Sequence, residues 1–453
     1  MPDSADSYPR REFLARTLVG APAAALSFLS SKGHAQPSPA DDSPFDPWAR
    51  NALLHKGQVI NESVEFVDSL TGRSSRRLTQ YRLLNEQPTY HLGACFSPDS
   101  RYQIVSTELR DSSTALLRAE VATGEITVLE TAPKGWKLGV WNACVVPSLN
   151  AIVAIVGNQL KLYDFNTLRE RIVLENVPGL HSPTGSCDGH RLFVMKRAAA
   201  VSVEGVKTVP AIYCEIDLAN GGMREISRET RSQSNHLVPC PTDPDLLLID
   251  RDLPPKFGGG GDGGRTSRVW ILHAKTARLT EIRPNDSNRF QIHSNWSHCG
   301  QYVYYHGTSR QHSYPTSPSG HYIGVADREG RVVWERHFPT FFYGHVSAHT
   351  QTSAILSDAL LTKNLITAIH WKELNAQEVP RIEILACHAT NWVPGQASHP
   401  HPHMSPDGKW LSYNCGTTAG PLATDRMAPA LKDIYGDAVG FAPQRSDVCV
   451  VRL

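Results

Sequence analysis

The chain has 453 residues, with 45 Lys and Arg against 44 Asp and Glu, so its formal net charge is +1. That length exceeds one ordinary hydrophobic core and predicts either two domains or a single long all-β architecture. A charge balance this close to neutral provides no global field for nucleic acid or a membrane surface, so we expect no nucleic-acid partner.

The first 35 residues have the order of an export signal. Paired Arg10 and Arg11 precede Phe13 and Leu14, an Ala-rich apolar run extends over residues 18–29, and small residues follow near position 33. The apolar run is too short to span a bilayer. We interpret residues 1–35 as a twin-arginine-type signal and residues 36–60 as a linker, and expect a periplasmic or secreted mature protein without a membrane span. The alternative is a disordered or amphipathic N-terminus.

Nine cysteines are present, an odd number, and none forms a Cys-x-x-Cys pair. Most lie beside strand-like apolar runs, where small buried thiols are ordinary. The cysteines are therefore interpreted as core residues and not as a disulfide framework or a zinc site.

Seven segments repeat one pattern, a polar turn that often reads Ser-Pro-Asp-Gly followed by an apolar strand. The turns are separated by 50, 39, 55, 56, 53 and 55 residues, and they are anchored at Ser97, Pro147, Ser186, Pro241, Ser297, Thr350 and Ser405. Hairpin-like stretches such as "EVATGEITVL" lie between the anchors, and their Gly, Asn and Asp residues suit tight turns. Each repeat therefore predicts a four-stranded antiparallel sheet.

Seven such sheets around an axis form an all-β, seven-bladed β-propeller, which we assign to residues 61–453. The hairpin-like segment at 65–79 precedes the first anchor, and the last repeat ends in a lone strand, "SDVCVVRL". The two termini are expected to complete one blade together and thereby close the ring. An open solenoid of β units is the structural alternative.

Histidines recur at the start of the innermost strand in six of the seven repeats, whereas the second repeat has Trp141 there. The set is His91, His181, His236, His293, His345, His399 and His401. The innermost strands of a propeller begin at one mouth of the central channel, so these side chains are expected to converge. A single histidine at such a position is most often structural, but histidines at the same position in six repeats predict a functional site in the channel.

Imidazole is the commonest metal ligand and titrates nearest to neutral pH, so the cluster suits a metal together with a general base. A metal-free pH switch is the weaker alternative. The second strands return to the same mouth, which adds Asp250–Asp252, residues 306–310, Asp358 and residues 414–417 to the predicted site. The Gly-rich stretch at 256–268 lacks the Lys-Ser/Thr ending of a phosphate loop and is interpreted as a flexible connection.

Four stretches carry a resemblance to one enzyme family. "GQASHPHP" matches Gln-x-x-His-Pro-His-Pro, "HLVPCPTDP" matches His-x-x-x-x-Pro-x-Asp-Pro, "HSNWSHCG" matches His-x-x-Trp-x-x-x-Gly, and "HVSAHTQTSAILSD" has Asp thirteen residues after His. The chain thus resembles the oligogalacturonate lyases, polysaccharide lyase family 22, through most of its mature length and most densely over 236–415.

The resemblance implies a manganese-type site and a lyase reaction on pectin fragments. The family's metal ligands fall on His293, Gln396, His399 and His401, and its catalytic base falls on His236. We assign His345, His181, His91 and Arg251 to substrate binding. The expected partner is a uronate-containing oligosaccharide, the expected cofactor is Mn2+ or another divalent cation, and the oligomeric state stays open.

Independent chemistry supports the same reaction. A cation bound to the uronate carboxylate would stabilise the charge that develops when C5 loses its proton, and a neutral histidine could accept that proton. Ligation by nitrogen and oxygen without thiolate suits manganese or a similar ion.

Two features depart from the family. The family has an arginine upstream of its catalytic histidine, the matching stretch "VKTVPAIYCEIDL" contains none, and Arg251 is the candidate replacement. Family members also typically act in the cytoplasm, whereas this chain carries an export signal, so we expect its substrate to be a different or longer uronate-containing glycan. The alternatives are a non-catalytic propeller that binds glycan or protein, and a metal-dependent hydrolase or lactonase.

Overall fold

The structure is a computed structural model. It describes residues 54–79, 84–109, 113–133, 138–139, 141–232, 234, 236–257, 267–284, 289–309, 321–338, 344–360, 364–388, 390, 399–418 and 444–453. The predicted export signal, most of the predicted linker and Gln396 lie outside the described residues. All described residues belong to one compact unit, Pro47–Leu453.

Seven blades of antiparallel strands form a β-propeller, as the repeats predict. The N-terminal strands and the first blade are β1 (Val59–Asn61), β2 (Val64–Val67), β3 (Ser74–Arg77), β4 (Leu84–Glu86), β5 (Tyr102–Glu108), β6 (Thr114–Glu120) and β7 (Glu125–Ala132). The second blade contains β8 (Ala143–Val146), β9 (Ala151–Val156), β10 (Gln159–Asp164) and β11 (Glu170–Leu174), with a 3-10 turn at Pro147–Leu149.

The third and fourth blades follow the same four-stranded plan, with one inserted hairpin. The third contains β12 (Leu180–Gly185), β13 (Arg191–Arg197), the inserted β14 (Val201–Val203) and β15 (Val206–Thr208), β16 (Ala211–Asp217) and β17 (Met223–Glu229). The fourth contains β18 (Leu237–Pro239), β19 (Leu246–Asp250), a 3-10 turn at Pro255–Phe257, β20 (Val269–His273) and β21 (Leu279–Glu281).

The remaining blades complete the ring. The fifth contains β22 (Arg289–Trp296), β23 (Tyr302–Ser309), β24 (His321–Asp327) and β25 (Val332–His337), and the sixth contains β26 (Val346–Ala348), β27 (Ile355–Ser357), β28 (Leu365–Leu374) and β29 (Pro380–Cys387). The seventh contains β30 (His403–Met404), β31 (Trp410–Thr418) and β32 (Gln444–Arg452).

The two ends of the chain close the ring within the seventh blade. The C-terminal strand β32 pairs with β31 on one side and with the N-terminal strand β3 on the other, and β2 extends the sheet beyond β3. Pairing between the N- and C-terminal strands, predicted from the incomplete last repeat, is therefore confirmed.

The repeated turn has a specific physical function. The Ser97 hydroxyl donates to Asp99 at 2.6 Å and accepts the backbone N–H of Tyr102 at 2.9 Å. Ser405 makes the same pair of bonds, to Asp407 at 2.7 Å and from Trp410 at 2.9 Å. A serine that satisfies both a carboxylate and a backbone donor fixes the entry to each second strand, which explains why the motif recurs.

The second strands are buried on both faces between neighbouring blades, so they read as continuous apolar runs and not as alternating ones. In β9, "AIVAIV", five of the six residues are buried. Six of the nine cysteines are also buried, and all nine are free thiols, although Cys299 is exposed. In the described part of the chain, no helix has the length and apolar character needed to cross a membrane.

Candidate functional site

Histidine rings from five blades meet in the channel where the innermost strands begin. His91 lies centrally, with ring centroids 5.6 Å from His236, 5.0 Å from His293 and 5.0 Å from His345. His345 lies 4.3 Å from the ring of His401. His91, His345 and His401 are fully buried. Six of the seven in-phase histidines therefore converge, all except His181, because equivalent strands of a propeller start at one end of the channel.

Three of these histidines form a group that could hold a metal ion. One ligand atom from each of His345, His399 and His401 lies within 4.8 Å of the others. His345 Nδ1 donates to Asp358 Oδ2 at 2.9 Å, which leaves the lone pair on Nε2 to face the channel. Asp358 also accepts the backbone N–H groups of His345 at 2.6 Å and His401 at 3.2 Å, so one carboxylate orients two of the three histidines.

Two of the three donors, His399 and His401, are neutral, as metal ligands must be. Burial, followed by the proximity of His345, lowers the pKa of His399 to about 3. The same two causes hold the pKa of His401 well below its usual range. The buried Nε2 of His401 has no hydrogen-bond partner among the described residues. An unsatisfied nitrogen inside a cluster of neutral imidazoles fits a divalent cation.

Asp358 stays ionised inside the protein. Burial alone would raise the pKa of this carboxyl group, but its charge interaction and hydrogen bonds with His345 lower the pKa below the usual value. This negative charge, hydrogen-bonded to the His345 ring and to the His401 backbone, increases the attraction of the site for a cation.

His293, a predicted metal ligand, lies beside this group. Its Nδ1 is 2.9 Å from the carbonyl oxygen of Gly344 and 2.9 Å from His306 Nε2, and its ring centroid is 4.5 Å from that of His345. Because a carbonyl oxygen only accepts, Nδ1 carries the proton and Nε2 presents its lone pair. A Cβ on Gly344 would lie 2.5 Å from Asp358 Oδ1, so only glycine permits this close approach.

His236, the predicted base, is oriented by a second carboxylate. Its Nδ1 pairs with Asp250 Oδ2, and the same oxygen is 2.8 Å from the Arg268 guanidinium. Burial would raise the pKa of Asp250, but Arg268 and then His236 lower it. Because the Nδ1–H group of His236 donates to the Asp250 carboxylate, Nε2 of His236 is the nitrogen left to accept a proton.

A turn at Tyr90 and His91 inserts two more side chains into the cluster. Tyr90 is 2 % exposed, and its hydroxyl lies 3.1 Å from His293 Nε2 and 3.0 Å from His345 Nε2. Neither ring nitrogen of His91 has a hydrogen-bond partner among the described residues. The turn therefore places one hydroxyl and one additional imidazole at the centre of the site.

Two residues predicted to bind substrate lie elsewhere. His181 is buried and its Nδ1 contacts Ser182 Oγ at 3.1 Å, and no ring contact joins it to the cluster within the described part of the chain. The Arg251 guanidinium pairs with Glu229 at 2.8 Å and stacks over Trp270, 4.8 Å from the ring centroid. Gln396 lies outside the described residues.

Sequence reasoning anticipated Asp250, Asp358 and His306 from the ends of the second strands, but it missed Tyr90 and Arg268. Tyr90 immediately precedes the in-phase His91, and Arg268 immediately precedes β20. The position of Tyr90 next to His91 could have indicated from the sequence that it lies in the site. For Arg268 no sequence signal existed, because its contact with Asp250 is made across strands.

A separate cavity of about 430 Å³ lies further along the channel. It is lined by residues that follow the cluster along the innermost strands, among them Leu92, Val238, Trp296 and Met404. Its lining is mainly apolar, in contrast to the histidine cluster.

No family model and no curated protein matches this sequence. Among solved structures, an oligogalacturonate lyase in complex with manganese is similar, with TM-score 0.65 and 17 % identity over 88 % of this chain and 98 % of that chain. An oligogalacturonate lyase from Vibrio parahaemolyticus is similar with TM-score 0.63 and 16 % identity over the same shares. At this identity the likeness shows the fold, a seven-bladed β-propeller, and the activity is a separate question.

Proposed function

We propose that this protein is a metal-assisted lyase that cleaves uronate-containing oligosaccharides by β-elimination. The observation that carries the proposal is the buried cluster in which three metal-competent histidines lie near His236, a histidine backed by Asp250. The fold shared with two oligogalacturonate lyases supports the same class of reaction.

The cation would be held by His345, His399 and His401. The resemblance adds His293 and Gln396 to this set, and His293 lies against His345. When bound, a divalent ion such as Mn2+ would neutralise the uronate carboxylate and so stabilise the negative charge that develops beside C5.

His236 acts as the base in this proposal. Its Nε2 takes the C5 proton, and the imidazolium that forms is stabilised by the Asp250 carboxylate on the opposite nitrogen. The C4–O bond then breaks, a C4–C5 double bond forms, and the leaving oxygen takes a proton from solvent. Arg268 holds Asp250 ionised and in position and is therefore a positioning residue.

Arg268 is a better candidate than Arg251 for the cation that the family's arginine supplies. Burial would raise the pKa of Asp250, and the charge of Arg268 is the largest effect that lowers it. After burial and the neighbouring histidines, the same charge also contributes to the lowered pKa values of His293 and His306, so the guanidinium lies close to the site. Arg251, in contrast, is engaged by Glu229 and Trp270.

We also propose that the protein binds and cleaves its substrate outside the cytoplasm. The twin-arginine-type pattern over residues 1–35 carries this proposal. Export after folding would allow the metal to be loaded inside the cell, and the substrate would then be a glycan fragment present in the periplasm or medium.

The test is ultraviolet absorbance and product mass with the manganese-loaded protein and a panel of uronate oligosaccharides, including unsaturated digalacturonate. Elimination creates a conjugated double bond in the product, whereas hydrolysis and binding do not. Mass is required because an unsaturated disaccharide can lose its own chromophore as the keto-sugar forms. His236→Gln, Asp250→Asn and an EDTA-treated sample are run beside His190→Gln, an exposed histidine that serves as the control.

We expect turnover in the wild type and in His190→Gln. The kcat of His236→Gln should fall roughly 100-fold or more, and that of Asp250→Asn should fall less. The EDTA-treated sample should show no turnover. Undiminished turnover in His236→Gln would remove this residue from the mechanism. If the wild type binds Mn2+ but turns over no uronate, the non-catalytic glycan-binding propeller becomes the better account.

A further inference from the structure

One arginine at the mouth of the channel has no acidic partner among the described residues. Arg197 is the last residue of β13, a second strand, so it lies at the same mouth as the histidine cluster, and its side chain is exposed. Within the described part of the chain no carboxylate pairs with its guanidinium. Three other arginines of the third and fourth blades are paired, Arg231 with Glu204 at 2.5 Å, Arg251 with Glu229 at 2.8 Å and Arg268 with Asp250 at 2.8 Å. The charge of Arg197 is therefore available to an anionic ligand.

Strand register places Arg197 on the face of the third blade that packs against the fourth blade. His181 of β12 lies opposite Met195 of β13. Because alternate residues of a strand share a face, His181, Met195 and Arg197 lie on one face. Met195 is fully buried in a cluster that includes Leu237, the first residue of β18. Since His236 immediately precedes Leu237, Arg197 lies at the mouth end of the interface with the blade that carries the proposed base.

His181 lies between Arg197 and the channel. It is the second residue of the innermost strand of the third blade, and it is 8 % exposed. Burial, and then the positive charge of Arg197, lowers the pKa of His181 to about 4. The guanidinium therefore lies near a neutral imidazole, so at neutral pH the positive charge beside this ring is that of Arg197.

The backbone beside His181 is strained. Ser182 has φ of 51° and Trp141 has φ of 67°, in the left-handed region that non-glycine residues rarely adopt. The N–H group of Ser182 donates to the carbonyl oxygen of Trp141 at 2.6 Å, so the two strained residues hold each other. Such strain clusters at functional sites, and His401 of the candidate metal group also has a positive φ, of 47°. The strain at Trp141 and Ser182 indicates that the functional surface extends beyond the metal group to the second and third blades.

The inserted hairpin of β14 and β15 follows Arg197 after three residues and is anchored at both of its strands. Lys256 Nζ, in the fourth blade, donates to the carbonyl oxygen of Glu204 in the hairpin turn. The Thr208 hydroxyl donates to the carbonyl oxygen of Thr230 at 2.6 Å. The hairpin therefore forms an ordered edge at the mouth, next to Arg197.

We propose that Arg197 binds the carboxylate of the uronate residue next to the one that is cleaved. The inference rests on the proposed function for its substrate class. A uronate oligosaccharide has one carboxylate on every sugar, and the candidate metal site would take one of them. A second carboxylate that lost its water without gaining a partner would oppose binding. The planar guanidinium offers it two parallel N–H donors, so Arg197 makes the protein selective for glycans with two adjacent uronates.

The experiment compares trigalacturonate with its methyl ester, which has the same sugars without the charges. Binding is measured by calorimetry at pH 7 on the EDTA-treated mature protein, so that neither turnover nor metal contributes. The variants are Arg197→Gln, Arg197→Lys and, as the matched control, Arg169→Gln. Arg169 is an exposed arginine in the turn between β10 and β11, at the opposite end of a blade. Unfolding midpoints of all four proteins verify folding.

We expect the wild type and Arg169→Gln to bind trigalacturonate with equal affinity and more tightly than its methyl ester. Arg197→Gln should lose roughly tenfold or more in affinity for trigalacturonate, because a charge-assisted hydrogen bond is removed, and should bind the ester as the wild type does. Arg197→Lys, which keeps the charge without the planar pair of donors, should lie between the two. Equal affinities of Arg197→Gln and Arg169→Gln for trigalacturonate overturn the proposal. A wild type that binds the ester as tightly as the acid also overturns it, even if Arg197→Gln does not fold.

The failure of this proposal differs from the failure of the lyase function. If the Mn2+-loaded wild type cleaves trigalacturonate, Arg197→Gln should raise KM and leave kcat unchanged, since the contact is made equally before and during the reaction. Cleavage with an unchanged KM in this variant keeps the lyase and removes Arg197 from substrate binding. Charge-selective binding that depends on Arg197, without any turnover, keeps the subsite and removes the lyase function.

Discussion

At the scale of single residues, the site contains two pairs in which an aspartate orients a histidine. Asp250 and Asp358 each lie at the end of a second strand and each holds the Nδ1 of a histidine from the adjacent innermost strand. The neighbours differ: Asp250 is contacted by Arg268, whereas Asp358 accepts backbone N–H groups from His345 and His401. We infer that the first pair supports proton transfer and the second pair supports metal binding.

Replacing Asp358 tests the second of these functions. In Asp358→Asn an amide N–H group would face donors at His345 or His401, so the histidines would lose their orientation. We expect Mn2+ affinity to fall roughly 10- to 100-fold while the fold is retained, as measured by calorimetry. Glu329→Gln, an exposed surface change, is the control and should bind as the wild type does. Equal affinity in the two variants would contradict the function given to Asp358.

Some of these residues were visible in the sequence and others were not. The alternation of histidine and proline at 399–403 and the phase of His236, His293 and His345 marked channel positions. His403, however, supports the Tyr90 carbonyl. The contacts of Tyr90 and Arg268 depend on strands distant in sequence, so a linear pattern could not reveal them.

At the scale of elements, the seventh blade decides whether the ring is closed. Its C-terminal strand is in register with two strands far away in sequence, since Val450 pairs with Ser412 on one side and with Arg76 on the other. Val448 and Val450 belong to the hydrophobic cluster that they share with the first blade. Closure thus joins both termini through backbone pairing and apolar contact.

Removal of the two methyl groups of one buried valine in this strand should lower the stability of the whole propeller. Val450 is fully buried, so Val450→Ala should lower the free energy of unfolding by about 2 kcal/mol. Val332, 48 % exposed at a blade edge, is the matched control, and Val332→Ala should change it by no more than about 0.5 kcal/mol. Urea unfolding, followed by tryptophan fluorescence, measures the free energy of unfolding of both variants. Equal changes in the two variants would show that ring closure makes no special contribution to stability.

At the scale of the molecule, burial of so many neutral histidines links stability to pH. Burial, followed for His181 by the charge of Arg197, lowers the pKa of this residue to about 4, and burial lowers that of His388 to about 4. In the unfolded chain histidine titrates near 6.5. The folded form therefore keeps its stability above pH 6.5 and loses it as the pH falls towards 4, because only the unfolded chain gains protons in that window.

The metal-free protein should consequently be less stable at pH 5 than at pH 7, with about 2 kcal/mol lost for each such histidine. Urea unfolding at both pH values in the presence of EDTA measures the loss. His181→Gln should lower the difference between the two pH values by about that amount, whereas His190→Gln, at an exposed position, should leave it unchanged. A difference that is identical in all three proteins would contradict the assigned neutral state of buried His181.

The sequence by itself determined the number of blades, the closure by both termini and the convergence of most in-phase histidines. These follow from local repeats, since each blade encodes its own turns and strands and the ring then sets their relative phase. Only the tertiary structure decided which side chains touch: that Asp358 serves two histidines, that Arg268 reaches Asp250, and that Tyr90 enters the cluster while His181 does not. Those contacts depend on ångström-scale distances between blades, which no spacing along a single chain specifies.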